Sequence, residues 1–493
     1  MSSLNTAQQS RCLPSLASAC VLAIFSHACV HGQQGLDPLR LFEQEARTNA
    51  QGYSWLKWST EHIGHRLTGT ANGARAESTA DSLFRVSGLP VVNYSPFSAI
   101  AWTRGSVLLS VRSGGTVEHL ASVALAHSPD KASVDAPLID VGNGLAEDLR
   151  RVGDLVKGHA VLMNLGLVAA PNGAANLHRS EKTALAIQQG ASAVVFVNNI
   201  EGGVLLTGTA SVDGSGIPIP AVCIASEEGG SLRARLAAGE SISVQITMNN
   251  RSEPVEARNV VAEIPGTRWP QEVVVVGGHL DSWDLATGAT DNGLGAYSIL
   301  DMARAMVASG VRPARTIRFV LFMGEEQGLL GSEALVAQYA RTQELANVRC
   351  MINMDMTGDP FGFSAVGPEG WTAIVDSAMG AMHALDTTFR AELKDRPGLH
   401  SDHQSFLLAG VPVINPLSDL GGHVYGCYHS SCDDVHLVDP MDMVNNARFV
   451  GMLALWIANV EALPAAFEDG ALRDRLKAGG LEENLRLAKL WRW

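Results

Sequence analysis

Residues Gln271 to Gly293, QEVVVVGGHLDSWDLATGATDNG, constrain this chain more than any other stretch. Four consecutive valines, Val273 to Val276, are β-branched and apolar, which suits a strand buried on both faces. The run ends at Gly277-Gly278, and His279, Asp281, Asp284 and Asp291 follow. A buried strand that empties into histidine and carboxylates delivers them at its C-terminal end, where ligands bind in open parallel α/β sheets. Taken alone, the stretch also reads as a polar loop after a core strand.

The alternation continues along the chain. The valine strand leads to a helical pattern over 294–308. A strand at 317–322, a helix over 332–340 and a strand near 348–353 follow, then a helix near 372–383, a strand at 411–415 and a helix over 441–461. Strands alternating with helices imply an α/β fold, a mostly parallel sheet covered by helices. Between about 130 and 250 the character changes to short apolar runs, among them 160–164, 193–197 and 217–223, separated by glycine and polar turns. With a helix over 180–189 before the second run, this reads as a small, mostly β domain inserted into the main one. His159 and His178 stand alone there and read as surface residues. The domain plan is 1–32 as a leader, 33–129 and 251–464 as the two parts of the main domain, 130–250 as the insert and 465–493 as a tail. In the tail, Leu472, Leu476, Leu481, Leu485 and Leu487 suggest one amphipathic helix.

Residues 1–32 carry a single formal charge, Arg11, and an apolar run over 13–26. This is the pattern of a secretory signal peptide, and the run is shorter than the roughly 20 residues of a membrane span. The expected location is secreted or periplasmic, with no membrane contact after cleavage. Cys223, Cys350, Cys427 and Cys432 lie beyond the leader, and an oxidising compartment permits disulfides. Cys427 and Cys432 are the nearest pair. A formal net charge of -14 argues against nucleic acid or anionic membrane as partners.

Successive strand ends each deliver metal-ligand residue types. Glu325-Glu326 follow the second strand and Asp355 the third, while His429 and Asp433 lie towards the C-terminus. With His279 and Asp291 they make a histidine–carboxylate set. Imidazole plus carboxylate suits zinc, and three protein ligands per ion leave a position open for water. A carboxylate can bridge two ions with its two oxygens. Of two adjacent glutamates, one can coordinate while its neighbour takes a proton from water, whose pKa zinc lowers to about 7. Each piece alone has a plainer reading. A Glu-Glu pair is commonly a solvated face, a lone Asp a helix cap and a lone His a satisfied core residue.

Several segments carry a family resemblance: Gly278–Asp284 (GHLDSWD), Gly288–Gly293 (GATDNG), Glu325–Gly328 (EEQG), Ile63–Gly69 (IGHRLTG), Trp102–Gly105 (WTRG), Ser401–His403 (SDH) and Ala409–Pro412 (AGVP). On these the chain, over roughly 36–464, resembles the two-zinc exopeptidases that include carboxypeptidase Q and the bacterial leucyl aminopeptidases. The resemblance implies a zinc-exopeptidase (phosphorylase/hydrolase-like) fold and an insert similar to a protease-associated domain. It implies two zinc ions per chain, one held by His279 and Asp355, the other by Glu326 and His429, with Asp291 bridging. Glu325 would be the general base and later the acid for the leaving amine. Asp281 would orient the His279 ring through its carboxylate, and Asp433 would serve similarly near His429. Tyr425, with His423 behind it, is the candidate oxyanion partner. Asn292 departs from the pattern, standing where such chains often carry another acid. The expected reaction is hydrolysis of dipeptides or short peptides, and the insert would shape the cleft or a homodimer contact. Three alternatives stay open: aminopeptidase rather than carboxypeptidase or dipeptidase specificity, a single-zinc glutaminyl cyclase-like enzyme, and an inactive peptidase domain serving as a binding protein.

Overall fold

The computed structural model describes residues 37–169 and 175–493. The leader expected over 1–32 lies outside them. The valine strand, Trp269–His279, runs inside a 14-stranded sheet. Arg315–Phe322 and Val348–Asn353 flank it, both parallel to it, and Val413–Leu417 extends the parallel set. Both faces of the strand are covered, which is why its sequence does not alternate. Val274 and Val276 pack into the core beneath helices Leu294–Ala308, Trp371–Leu385 and Pro440–Asn459. Val273 and Val275 face the opposite core, which includes Leu335, Tyr339, Phe406, Leu472 and Leu476. Asp439 caps the long C-terminal helix by accepting from Met441 N (2.8 Å), with Pro440 in its first turn.

Two long antiparallel strands, Val91–Ser113 and Ser243–Ile264, carry the chain out of this sheet and back. Near the main core, Ser243–Ile264 pairs with Arg315–Phe322; at its other end it pairs with Lys131–Asp140 of the insert. Pro96 and the Trp102–Gly105 segment conceal most of the first strand from a reading of the sequence. The register shifts between Thr103 and Ser106. There Gly105 passes so close to the partner strand that an added Cβ would lie 1.7 Å from the Asn249 carbonyl oxygen. The insert continues as parallel strands Lys131–Asp140, Ala160–Asn164, Ala193–Val197 and Ala221–Ile224. The helix expected over 180–189 is Arg179–Gln188, and the insert carries two more that its short apolar runs do not suggest, Ala146–Val152 and Ser226–Ala237. The last contains Gly229-Gly230 and buries only Gly229 and Leu232, so no apolar stripe marks it in the sequence.

The tail is two short helices, Asp469–Ala478 and Glu482–Leu487, rather than one. Gly479-Gly480 separates them, and Gly480 takes a left-handed φ of 76°. Cys427 and Cys432 are disulfide-bonded, while Cys223 and Cys350 are buried and free. No helix among the described residues is long and apolar enough to cross a membrane. Because Gly105 admits no side chain at the bend, Gly105→Val is expected to destabilise the protein by about 2–4 kcal/mol, read as a lowered urea midpoint. An unchanged midpoint would show that the bend tolerates a side chain.

Candidate metal centre

The C-terminal ends of the central parallel strands meet at one cavity of about 350 Å³. His279 is the last residue of its strand and is 1% exposed. Its Nε2 lies 3.2 Å from Asp291 Oδ1 and 3.2 Å from Asp355 Oδ1. The Nε2 of His429 lies 2.9 Å from Asp291 Oδ2 and 3.1 Å from Glu326 Oε2. Asp291 therefore turns one oxygen to each histidine. Glu325 Oε2 stands further back, 4.0 Å from His279 Nε2. Two overlapping groups, His279–Glu325–Asp355 and His279–Asp291–Glu326, each bring their ligand atoms within 4.8 Å of one another. The donors fit zinc in type and spacing, and Glu326 Oε1 is buried with no hydrogen-bond partner among the described residues.

Neighbouring residues hold these side chains in place. Arg66, 0% exposed, donates to the carbonyls of Leu280 (2.6 Å), Thr287 (2.8 Å) and Gly288 (2.8 Å), which shapes the loop between His279 and Asp291. Asn292 donates to Met354 O (2.8 Å) and His279 O (3.3 Å) and accepts from Met356 N (3.1 Å). A carboxylate there would have no N–H to give those carbonyls, which accounts for the amide at this position. The Trp102–Gly105 segment joins the insert to the site: Arg104 pairs with Asp284 (2.8 Å) and donates to Thr207 Oγ1 (2.7 Å).

Of the expected details, one is extended and three come out differently. The His279 Nδ1 meets Asp281 twice, its backbone carbonyl at 3.0 Å and, further off, its carboxylate at 3.6 Å. That carboxylate also accepts from Glu325 N (3.2 Å) and Thr68 Oγ1 (3.0 Å), fixing the start of the Glu-Glu turn. Asp433 serves Asp291 rather than His429: it accepts from Thr290 N (2.7 Å), Thr290 Oγ1 (2.6 Å) and Asp291 N (3.1 Å). Tyr425 and His423 are exposed and do not line the cavity, because the turn at Gly421–Tyr425 buries Val424 instead. Tyr428 takes the inner position, stacked on His429 with ring centroids 3.8 Å apart. Finally, His178 is no surface residue; it lines the cavity, stacked on His400 at 4.7 Å.

The insert supplies a residue that its sequence did not mark. Arg179, 7% exposed, brings its Nη2 to 3.1 Å from His429 Nδ1, and its Nε has no partner among the described residues. Gly208 makes room for it, since a Cβ there would lie 2.1 Å from the guanidinium. No carboxylate pairs with Arg179 among the described residues, and the residues outside the description include no Asp or Glu. The insert meets the His429 segment again where Thr207 N donates to His429 O (2.9 Å), and Glu181 on the Arg179 helix meets His400 (3.5 Å).

Burial dominates the electrostatics. It raises Glu325 well above the usual carboxylate range, and the charges of Asp355 and Glu326 raise it further. It pushes Glu326 up to about 7 against the pull of His429. Burial opposes the charged form of His279, but Asp355 and Glu325 overcome it and hold the ring well above its ordinary value. Burial also works against the charged form of Asp291, where hydrogen bonds from His279 and His429 prevail and lower it. So much buried carboxylate calls for cations, and ion binding would displace the protons that otherwise neutralise it.

Residues 259–454 match Peptidase family M28 and residues 130–232 match the PA domain. Carboxypeptidase Q of Bos taurus is 28% identical over 84% of this chain and 86% of its own length. A solved peptidase M28 precursor from Shewanella amazonensis has the same fold, with a TM-score of 0.76 at 21% identity over 89% of this chain and 100% of that one. A zinc aminopeptidase from Bacillus subtilis superposes with a TM-score of 0.62 at 24% identity, over 85% of this chain and 98% of that one.

Behind the centre, Asp402 is 0% exposed, and burial pushes its pKa up to about 7 against the charge of His279 and a hydrogen bond from Ser332. The folded chain then keeps a proton that the unfolded chain releases above about pH 4, so stability falls as pH rises from about 4 to 7. Asn resembles the protonated acid and does not titrate. In zinc-stripped protein, Asp402→Asn is expected to gain about 2–4 kcal/mol over wild type between pH 4.5 and pH 8, measured by urea unfolding. A difference that does not vary with pH would rule out this titration.

Proposed function

We propose, from the premise that this chain is a zinc metallopeptidase whose residues 259–454 belong to peptidase family M28, that it is a two-zinc exopeptidase acting on dipeptides or short peptides. The observation that carries this reading is Asp291, with one oxygen 3.2 Å from His279 and the other 2.9 Å from His429. His279 and Asp355 would hold one ion, Glu326 and His429 the other, and Asp291 would be shared. Each ion then has three protein ligands and an open position. Zinc bound there would activate water at neutral pH and polarise the scissile carbonyl.

In this reading Glu325 is the base. It is set back from His279 compared with Asp291 and Asp355, and Asp281 holds its backbone N–H. It would take the proton from the attacking water and return it to the leaving amine. Tyr428, whose hydroxyl burial keeps protonated, would donate to the developing oxyanion. Arg179 favours the carboxylate end of the substrate over the amine end. A guanidinium stays charged, and a buried one without an acidic partner is suited to an anionic ligand. The disulfide at Cys427–Cys432 supports a secreted or periplasmic location.

The test is hydrolysis of dipeptides and tripeptides with free, N-blocked or C-blocked ends, alongside metal analysis. Wild type is expected to lose activity to a chelator, regain it with zinc, and require a free carboxylate. Glu325→Gln is expected to lose about 10²- to 10⁴-fold in kcat with its zinc content unchanged. Loss of one zinc in that variant would make Glu325 a ligand, and undiminished cleavage would remove it from the mechanism. A strict need for a free amine would favour an aminopeptidase.

A further inference from the structure

The cavity's far wall comes from the C-terminal tail. Leu485, Ala488 and Leu490 line it together with Leu399 of the main domain. The tail is anchored on two sides. Leu472, Leu476 and Leu485 are at most 1% exposed, in the core that contains Phe406 and Leu407. Across the cavity, Asn484 Nδ2 donates to Glu181 Oε1 (2.8 Å) and Lys489 Nζ pairs with Asp213 Oδ2 (3.1 Å), both on the insert. The chain reverses at Lys489, which has a left-handed φ of 61°, and Leu490 N donates to Leu485 O (2.8 Å). This turn brings Leu485 and Leu490 to one surface, as a helix-ending motif with its apolar contact does. Glu181 and Arg179 lie in the first turn of the same helix and both line the cavity, so the wall meets the cavity beside the N-terminus of that helix.

We propose that Ala488 and Leu490, backed by the buried Leu485, form the specificity wall of this site. They receive the apolar side chain of the substrate residue at the Arg179 end and stop longer peptides from extending past it. The inference rests on the hydrolytic reading for its substrate, but not on which terminus Arg179 reads. Of the acidic groups lining the cavity nearby, Glu181 meets Asn484 and His400, Asp213 pairs with Lys489, and burial beside Asp213 biases Glu333 towards its neutral form, so none is left as a free charge for a cationic side chain. A residue spans at most about 3.6 Å, so a wall fixed across a cavity of about 350 Å³ limits length as well as side chain.

The experiment uses the full-length, zinc-loaded protein and compares kcat/KM for peptides whose residue at that end is Gly, Ala, Leu or Phe, and for di-, tri- and tetrapeptides. Wild type is expected to gain roughly 10- to 100-fold from Gly to Leu, the range for burying one such side chain. Ala488→Trp fills the subsite and is expected to reduce that ratio about tenfold or more. Leu490→Ala opens it and is expected to raise the tetrapeptide-to-dipeptide ratio about tenfold. Thermal melting checks that each variant folds, and if Ala488→Trp does not, Leu490→Ala decides. Unchanged ratios in a folded variant overturn the proposal, whatever the absolute rates. If zinc-loaded wild type cleaves no peptide, the hydrolytic reading fails separately. The same peptides are then titrated onto Glu325→Gln protein by calorimetry. Affinity that rises with side-chain size and is flattened by Ala488→Trp supports the wall, and a flat series overturns it.

Discussion

Asp291 shares its two oxygens between His279 and His429, and the surrounding structure serves that contact. The two histidines are 150 residues apart, and the carboxylate between them is 4% exposed. Burial alone would drive such a group to take up a proton; here the two imidazoles reverse that tendency. Around it, Glu325, Glu326 and Asp355 add further carboxylates at the cavity wall, where burial works against their charged forms. A cluster of this kind is costly to fold without cations, and its cost is acceptable where cations are bound.

The supports of that contact are backbone interactions more than carboxylate–imidazole pairs. Arg66 spends its guanidinium on three carbonyls of the loop leading to Asp291. Asn292 links the ends of two strands through their carbonyls, and Asp433 collects the amides of Thr290 and Asp291. Each uses hydrogen bonds to fixed main-chain groups, which position a side chain without adding a competing ligand. The family-like segments far from the ligands therefore have a common physical purpose: the early HRLTG run supplies Arg66 and Thr68, and the WTRG run supplies Arg104.

The insert and the tail complete the cavity from outside the central sheet. Two strands of more than twenty residues carry the insert away and return it so that Thr207 and Arg179 meet the His429 segment. The tail crosses from the opposite side and binds both units. The metal-ligand types thus come from the main domain, whereas the walls that a substrate would meet are contributed by segments with no ligand signature of their own. This division follows from chemistry. Ion binding needs particular side chains, while a wall needs only shape and apolar surface, which many sequences provide.

By itself the sequence determined the α/β architecture and the strand ends that carry the histidines and carboxylates. Valine runs, glycine breaks and adjacent acidic pairs are local signals, and the strand period that exposes them is set by backbone geometry. Tertiary structure alone decided how those groups are supported and what closes the site. Which atom of Asp281 comes nearer to His279 depends on loop conformation within a few ångströms, so a carbonyl and a carboxylate of the same residue cannot be told apart in sequence. Tyr425 and Tyr428 differ by one turn of backbone, and the burial of Val424 sends only the second inward. Arg179 and Leu490 reach the cavity through contacts between residues hundreds of positions apart, which leave no periodic or compositional trace, and the leucine spacing of the tail marked Leu485 as apolar-facing without saying which surface it would meet.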